Sequence, residues 1–241
     1  MTIDFHCHIG QSLDGTIQTI SQLKRNMKKY GIKKSVVFSF DEKNKTVEEQ
    51  SLNLLDISKK EKKIMPFLRF DPKKMQPSVL RTLLNKKFYG IKLHPRSENF
   101  DPSDRKLFPI FREIAKSGKP LLLHVKKYHL KHTDPMLAAS LARKLPSLKL
   151  VIAHFASVQP LVFDYVKKHK LKNVYFDTSI TGYKGYIERM GKKIGFNKIL
   201  FGSDCPYSDQ EVELLKIKKL SISKENKQKI LERNAKGLLR L

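Results

Sequence analysis

Thr2-Ile3-Asp4-Phe5-His6-Cys7-His8 is a short apolar run that ends in two histidines two residues apart. Its length and its β-branched and aromatic content give it the character of a strand. Alternate side chains of a strand share a face, so His6 and His8 are expected to point together while Phe5 and Cys7 point out to covering helices. Runs of similar length and apolarity recur at 34–40, 64–70, 88–94, 120–125, 149–154, 173–178 and 198–203, which makes eight. Between them lie segments of helical period, with Ile17, Ile20, Leu23 and Met27 three and four apart, and likewise Leu137, Leu141 and Leu145. Asp134-Pro135 reads as a cap followed by a first-turn proline, and Gly31, Gly118 and Gly195 stand where helices end. Residues 223–241 read as a closing helix with Ile230, Leu231, Leu238 and Leu239 on its buried side.

Strands alternating with helices imply parallel pairing by right-handed crossovers, because a short loop cannot return a parallel strand directly. Eight such units close into a (β/α)8 TIM barrel, for which about 250 residues is typical. The 241 residues therefore read as one α/β domain spanning 1–241. An open doubly wound sheet would carry a glycine-rich phosphate loop after an early strand, and none is found.

No apolar run approaches the roughly 18 residues of a membrane span, and the N-terminus lacks the basic-then-apolar layout of a secretory signal. The expected location is the cytoplasm. Cys7 and Cys205 are too few for a disulfide framework. The net charge of +26 invites a nucleic-acid reading, since clustered cations displace counterions from phosphates. The lysine pairs Lys28-Lys29, Lys33-Lys34, Lys73-Lys74, Lys86-Lys87, Lys126-Lys127, Lys167-Lys168 and Lys192-Lys193 are instead dispersed, mostly where helices end. Cations there complement helix C-termini and solvate the surface. The expectation is a lysine-rich surface and a small-molecule substrate rather than a nucleic-acid partner. A homo-oligomer is compatible with the sequence, which carries no signal for one.

In a barrel the reactive groups sit at the C-terminal ends of strands. Here those ends carry His6 and His8, Lys92 and His94, His124, His154, Asp177 and Thr178, and Asp204. Imidazoles and a carboxylate are the ligands of a borderline divalent ion, which activates water near neutral pH. His6, His8, His124 and Asp204 supply such a set from strands one, five and eight. Asp204 is then also the proton acceptor, and His154 steers water or stabilises developing charge. Taken singly, each histidine reads as a hydrogen-bonded core residue and Asp204 as a turn residue. Their recurrence at corresponding strand ends carries the metal reading.

These residues resemble the amidohydrolase superfamily, in particular its amidohydrolase-related branch of metal-dependent hydrolases and decarboxylases. The resemblance runs through Asp4-Phe5-His6-Cys7-His8, Phe70-Asp71-Pro72, Gly90-Ile91-Lys92-Leu93-His94-Pro95, Leu121-Leu122-Leu123-His124 and the segment ending Ile152-Ala153-His154. It continues through Tyr175-Phe176-Asp177-Thr178-Ser179 and Phe201-Gly202-Ser203-Asp204-Cys205-Pro206-Tyr207. It implies one ion, Zn2+ first with Mn2+ or Fe2+ as alternatives, at His6, His8, His124 and Asp204, with His154 as a catalytic imidazole. It implies hydrolysis of a small anionic amide, ester or lactone, or else non-oxidative decarboxylation as in aminocarboxymuconate-semialdehyde decarboxylase. Lys92 stands where some members carry a carboxylated lysine bridging two metals, but Lys92-Leu93-His94-Pro95 resembles the branch in which it stays an amine. Lys92, His94 and Arg69 are expected as substrate contacts, with Arg69 as an anion clamp; a buried or rim ion pair is the competing role. A TatD-like nuclease would carry a glutamate on strand four, where Gly90-Ile91-Lys92-Leu93-His94 has none. A non-catalytic nucleic-acid-binding barrel would not need five separated polar groups at its strand ends.

Overall fold

A computed structural model describes residues 1–126 and 131–241. Its elements alternate: β1 (Ile3–Gln11), β2 (Ile17–Gln18), α1 (Ile20–Tyr30), β3 (Lys34–Ser39), α2 (Val47–Lys60), β4 (Ile64–Arg69), α3 (Pro77–Leu84) and β5 (Gly90–Leu93). Then come α4 (Phe108–Ser117), β6 (Leu121–Leu123), α5 (Pro135–Lys144), β7 (Leu150–Ile152), α6 (Pro160–Lys168), β8 (Val174–Asp177), α7 (Lys184–Ile194), β9 (Ile199–Leu200) and α8 (Gln210–Lys218). The chain closes with α9 (Lys224–Gln228), a π turn (Lys229–Arg233) and α10 (Asn234–Leu239). Each of the eight apolar runs contains a strand.

The strands form one curled nine-stranded sheet in the order β2-β1-β3-β4-β5-β6-β7-β8-β9. Every pairing is parallel except the short antiparallel contact of β2 with β1. The segment after β9 returns alongside β1: Phe5 N donates to Phe201 O, Asp204 N to His6 O, and His8 N to Cys205 O, each at 2.8 Å. Asp204 thereby stands beside the histidine pair nearly 200 positions away in sequence. Among the described residues no helix is long and apolar enough to cross a membrane.

Two apolar layers hold this sheet. Inside it, Ile3, Phe5, Val36, Phe38, Met65, Phe67, Leu122, Val151 and Leu200 pack together; outside it, residues such as Leu23, Met27, Phe111 and Phe163 pack helices onto strands. Cys7 faces the outer layer as expected, but Phe5 does not: its ring meets Phe67 edge-on at 5.6 Å inside the sheet. The β1–β3 register shifts between Asp4 and Cys7, a bulge that breaks strict alternation and lets adjacent Phe5 and His6 both face inward. Gly90 makes room for this filling, since a Cβ there would lie 2.4 Å from the Phe67 ring.

Ile17, expected on the buried stripe of α1, is exposed in β2 instead. Thr19 sets the boundary: its side chain accepts from Gln22 N while the Gln22 side chain accepts from Thr19 N, a capping box that starts the helix at Ile20. Asp134 likewise caps α5 by accepting from Met136 N, with Pro135 in the first turn. In the closing helix Ile230, Leu238 and Leu239 are buried, and Ile230 O accepts from Phe201 N at 2.9 Å, which ties the π turn to the segment bearing Asp204.

Candidate metal centre

Because the paired strands run the same way, the residues at and after their C-terminal ends gather at one end of the sheet. Asp204 Oδ1 lies 3.0 Å from both His6 Nε2 and His8 Nε2, and Oδ2 lies 3.9 Å from His154 Nδ1. His6, His154 and Asp204 are all buried, and their potential ligand atoms lie within 4.8 Å of one another. His154 and Asp204 adopt φ of 58° and 60°, a left-handed backbone that costs a non-glycine residue roughly 1–3 kcal/mol and concentrates at functional sites.

Burial opposes charge on Asp204, yet His6 and His154 beside it hold its carboxyl well below the usual carboxylate range. Burial lowers His8 to about 3 and His154 to about 4, so both imidazoles are neutral near pH 7. Burial and Lys92 act against charge on His6, but Asp204 and Asp177 outweigh them and raise it.

Hydrogen bonds fix which ring nitrogens remain available. His6 Nδ1 lies 2.9 Å from Asp177 Oδ2; the carboxylate accepts, so the neutral ring keeps its lone pair on Nε2, facing Asp204. The other Asp177 oxygen accepts from Ser179 N at 2.9 Å and from the Ser179 hydroxyl. With its proton given to Asp177, Ser179 Oγ accepts from His154 Nδ1 at 3.0 Å. His154 Nε2 in turn accepts from His124 Nδ1 at 2.9 Å, which leaves the lone pair of neutral His124 on Nε2. His8 Nδ1 is buried with no hydrogen-bond partner among the described residues. His6 Nε2 and His8 Nε2 thus converge on Asp204 Oδ1 at 3.0 Å each; either ring donates to the carboxylate when its Nε2 carries the proton, and with both lone pairs turned to this point the N/N/O donor set suits a borderline divalent ion.

A buried carboxylate supports the centre from behind. Asp4 Oδ1 accepts from Ser203 N at 2.9 Å and from His6 N at 3.2 Å, while Oδ2 accepts from Ser203 Oγ at 2.6 Å and Gln210 Nε2 at 2.8 Å. It joins β1 directly to the residue before Asp204.

A cleft of about 360 Å³ opens onto this centre and is lined by His8, His94, His124, His154 and Asp204, with Asp14, Arg96, Val125, Lys126, Ser157, Ile180 and Tyr207 around them. Of the three expected substrate contacts, only His94 lines it. His94 stacks on His124 with ring centroids 3.6 Å apart and planes 13° apart, and its Nδ1 accepts from Ser97 N at 3.1 Å. Lys92 is buried beneath, its Nζ 3.3 Å from His6 Nε2 and 4.7 Å from the Phe38 ring centroid, and burial lowers it to about 8. Arg69 is buried in the competing ion-pair role: Nε donates to Glu98 Oε1 at 2.8 Å, Nη1 to Ser39 O at 3.0 Å and Nη2 to Ser97 Oγ at 2.7 Å. It braces the 94–98 loop instead of facing the cleft.

The structure also brings in residues to which the sequence assigned no role. Asp177-Thr178-Ser179 was visible as a carboxylate ending a strand with a hydroxyl two residues on, but nothing in sequence links it to His6. Arg96 and Lys126 lie on loops, whose course periodicity does not reveal.

The chain belongs to the amidohydrolase family: a family model described as Amidohydrolase matches residues 3–241. Among solved structures it is similar to 5-carboxyvanillate decarboxylase from Sphingomonas paucimobilis, with a TM-score of 0.80 at 12% identity over 100% of this chain and 99% of that one. A dihydroxybenzoic acid decarboxylase from Polaromonas sp. JS666, with bound manganese and an inhibitor, gives 0.78 at 16% identity over 100% and 97%. An uncharacterised TIM-barrel protein from Bordetella bronchiseptica gives 0.78 at 14% over 99% and 98%. No curated protein matches the sequence.

Proposed function

We propose that the protein is a metal-dependent, non-oxidative decarboxylase of a small planar carboxylic acid, built as one eight-unit (β/α)8 domain over residues 1–241. The observation that carries this reading is the wall of the cleft. His94 and His124 present a stacked pair beside Asp204 and His8, while Arg96 and Lys126 line the same space. Stacked rings suit a flat unsaturated acid, and two cations suit its charge. A volume of about 360 Å³ falls at the small end of ligand pockets, which run to roughly 300–1,000 Å³. The decarboxylases among the similar folds support the same choice.

The proposed ligands are His6, His8, His124 and Asp204. Both ring nitrogens of His154 are occupied by Ser179 and His124, which leaves it as a proton-transfer group rather than a ligand. A bound Mn2+ or Zn2+ would supply positive charge to hold and polarise the substrate carboxylate. The chain's own work is to orient the acid and deliver a proton. A C–H bond forms at the carbon bearing the carboxyl group, the C–C bond to that group breaks with its electron pair retained by the same carbon, and carbon dioxide leaves. Asp204 and His154, both lining the cleft, are the groups that relay that proton from solvent to the carbon. Arg96 and Lys126 hold anionic substituents, and the buried ion pair of Arg69 and Glu98 keeps His94 in place.

Hydrolysis of an amide, ester or lactone is the second reading, favoured by the family description and served by the same groups. The two separate in one assay. Hydroxybenzoates and unsaturated acids labelled with ¹³C at the carboxyl group would release labelled carbon dioxide, and a chelator would abolish the release. Turnover confined to esters, amides or lactones would replace this proposal with hydrolysis.

A further inference from the structure

The net charge of +26 is not accounted for by the metal centre. Because β1 and β3 to β9 run parallel, the connections leading into β3 to β9 lie at the end of the sheet opposite that centre. Taken from the last three residues of each helix to the residue before the next strand, these seven connections hold twenty lysines, one arginine and a single acid, Glu61. Lys59-Lys60-Glu61-Lys62-Lys63 and Lys167-Lys168-His169-Lys170-Leu171-Lys172 are the densest, and Glu61 is itself paired with Lys24. The connections at the other end, from the residue after each strand to the third residue of the next helix, hold ten cations and thirteen acids among the described residues. Lysine pairs dispersed in sequence thus converge on one end in space. Lys73-Lys74 is at the other end, and Lys127 lies outside the described residues.

Helix dipoles explain only part of this. Cations in last turns are favoured, but ten of the twenty-one lie beyond the helix ends. The same effect would place acids in first turns, and α1, α3, α4, α5, α6 and α7 have none there. Nor does ion pairing consume the charge, since Lys59 with Asp56, Lys116 with Glu113 and Lys193 with Asp164 leave most of these cations unmatched.

We propose that this end of the molecule docks the phosphate backbone of double-stranded nucleic acid without regard to base sequence, with the metal centre facing away. None of the exposed large hydrophobic side chains falls in the seven connections, and Met1 and Leu241, exposed beside them, are single side chains rather than the apolar face of a membrane-binding surface or a platform for unstacked bases. A nearly pure lysine surface contacts phosphates as point charges.

The test is fluorescence anisotropy with a labelled random-sequence DNA duplex, repeated with vesicles containing phosphatidylserine. Wild type should bind the duplex, and affinity should fall about 1,000-fold between 50 and 200 mM salt if some six phosphates are neutralised. Replacing exposed Lys62, Lys63, Lys170 and Lys172 together by glutamine should weaken binding at least tenfold and make the log–log salt slope shallower by about 3 to 4. Replacing Lys43, Lys45, Lys73 and Lys74 at the opposite end removes the same charge and should leave the slope unchanged. Equal weakening by both sets, tighter binding to the vesicles than to the duplex, or no duplex binding at 50 mM salt would each overturn the proposal.

Discussion

The Asp177 carboxylate holds two imidazoles at once: directly His6, whose Nδ1 lies 2.9 Å from Oδ2, and through Ser179 the ring of His154. Such outer carboxylates fix the ring orientation and basicity of ligating histidines, and their loss costs about 10–100-fold in metal affinity. Asp177→Asn should weaken metal binding by that factor in a chelator competition while the circular dichroism spectrum stays that of wild type. An unchanged affinity would remove Asp177 from the centre.

His124 and His154 are joined at 2.9 Å but are proposed to play different parts. His124→Ala should reduce metal occupancy, whereas His154→Ala should retain metal and lose turnover by about 100-fold or more, the scale of a general acid–base group. Metal content and rate measured on the same preparations distinguish them. The opposite pattern would make His154 the ligand, in keeping with the close grouping of His6, His154 and Asp204.

Arg69 and Glu98 form a buried ion pair, so removing one partner strands the other charge. Arg69→Met should destabilise the protein by about 3–5 kcal/mol in urea unfolding, and pairing it with Glu98→Gln should recover part of that loss. If Arg69→Met instead altered only KM, the side chain would be a substrate clamp after all.

Burial lowers Lys92 to about 8, whereas an unfolded lysine holds its proton to about 10.4. Between those values the unfolded chain binds more protons, so this group makes the metal-free protein more stable as pH rises and less stable as pH falls back through about 8. Lys92→Met should remove that increment, read as the difference between wild-type and variant urea midpoints at pH 7.5 and pH 10. A constant difference across that range would place the Lys92 proton elsewhere.

The strands were legible because each buried run is short, apolar and bounded by turn or cap residues. Asp204 could be paired with His6 and His8 only by supposing that the first and last strands are neighbours, which the bonds of Phe5 and His8 to Phe201 and Cys205 now show. Local exceptions were not legible. The bulge that turns Phe5 inward leaves no mark on the alternation of Asp4-Phe5-His6-Cys7, and Ile17 fits the helical period although Thr19 caps the helix after it. The role of Arg69 depended on Glu98, a loop residue whose position no periodicity reveals. The end-to-end charge difference was hidden for the opposite reason, since dispersion along the sequence is what repeated strand–helix units produce from a surface concentrated in space.

The most direct test of the central claim is the divalent metal content of protein purified without chelator, measured beside His6→Ala and Asp204→Ala variants. The wild type should carry about one equivalent and each variant a small fraction of it, since each loses one of the four proposed ligands. Wild-type protein without stoichiometric metal, or variants that retain it, would contradict a centre built on His6, His8 and Asp204.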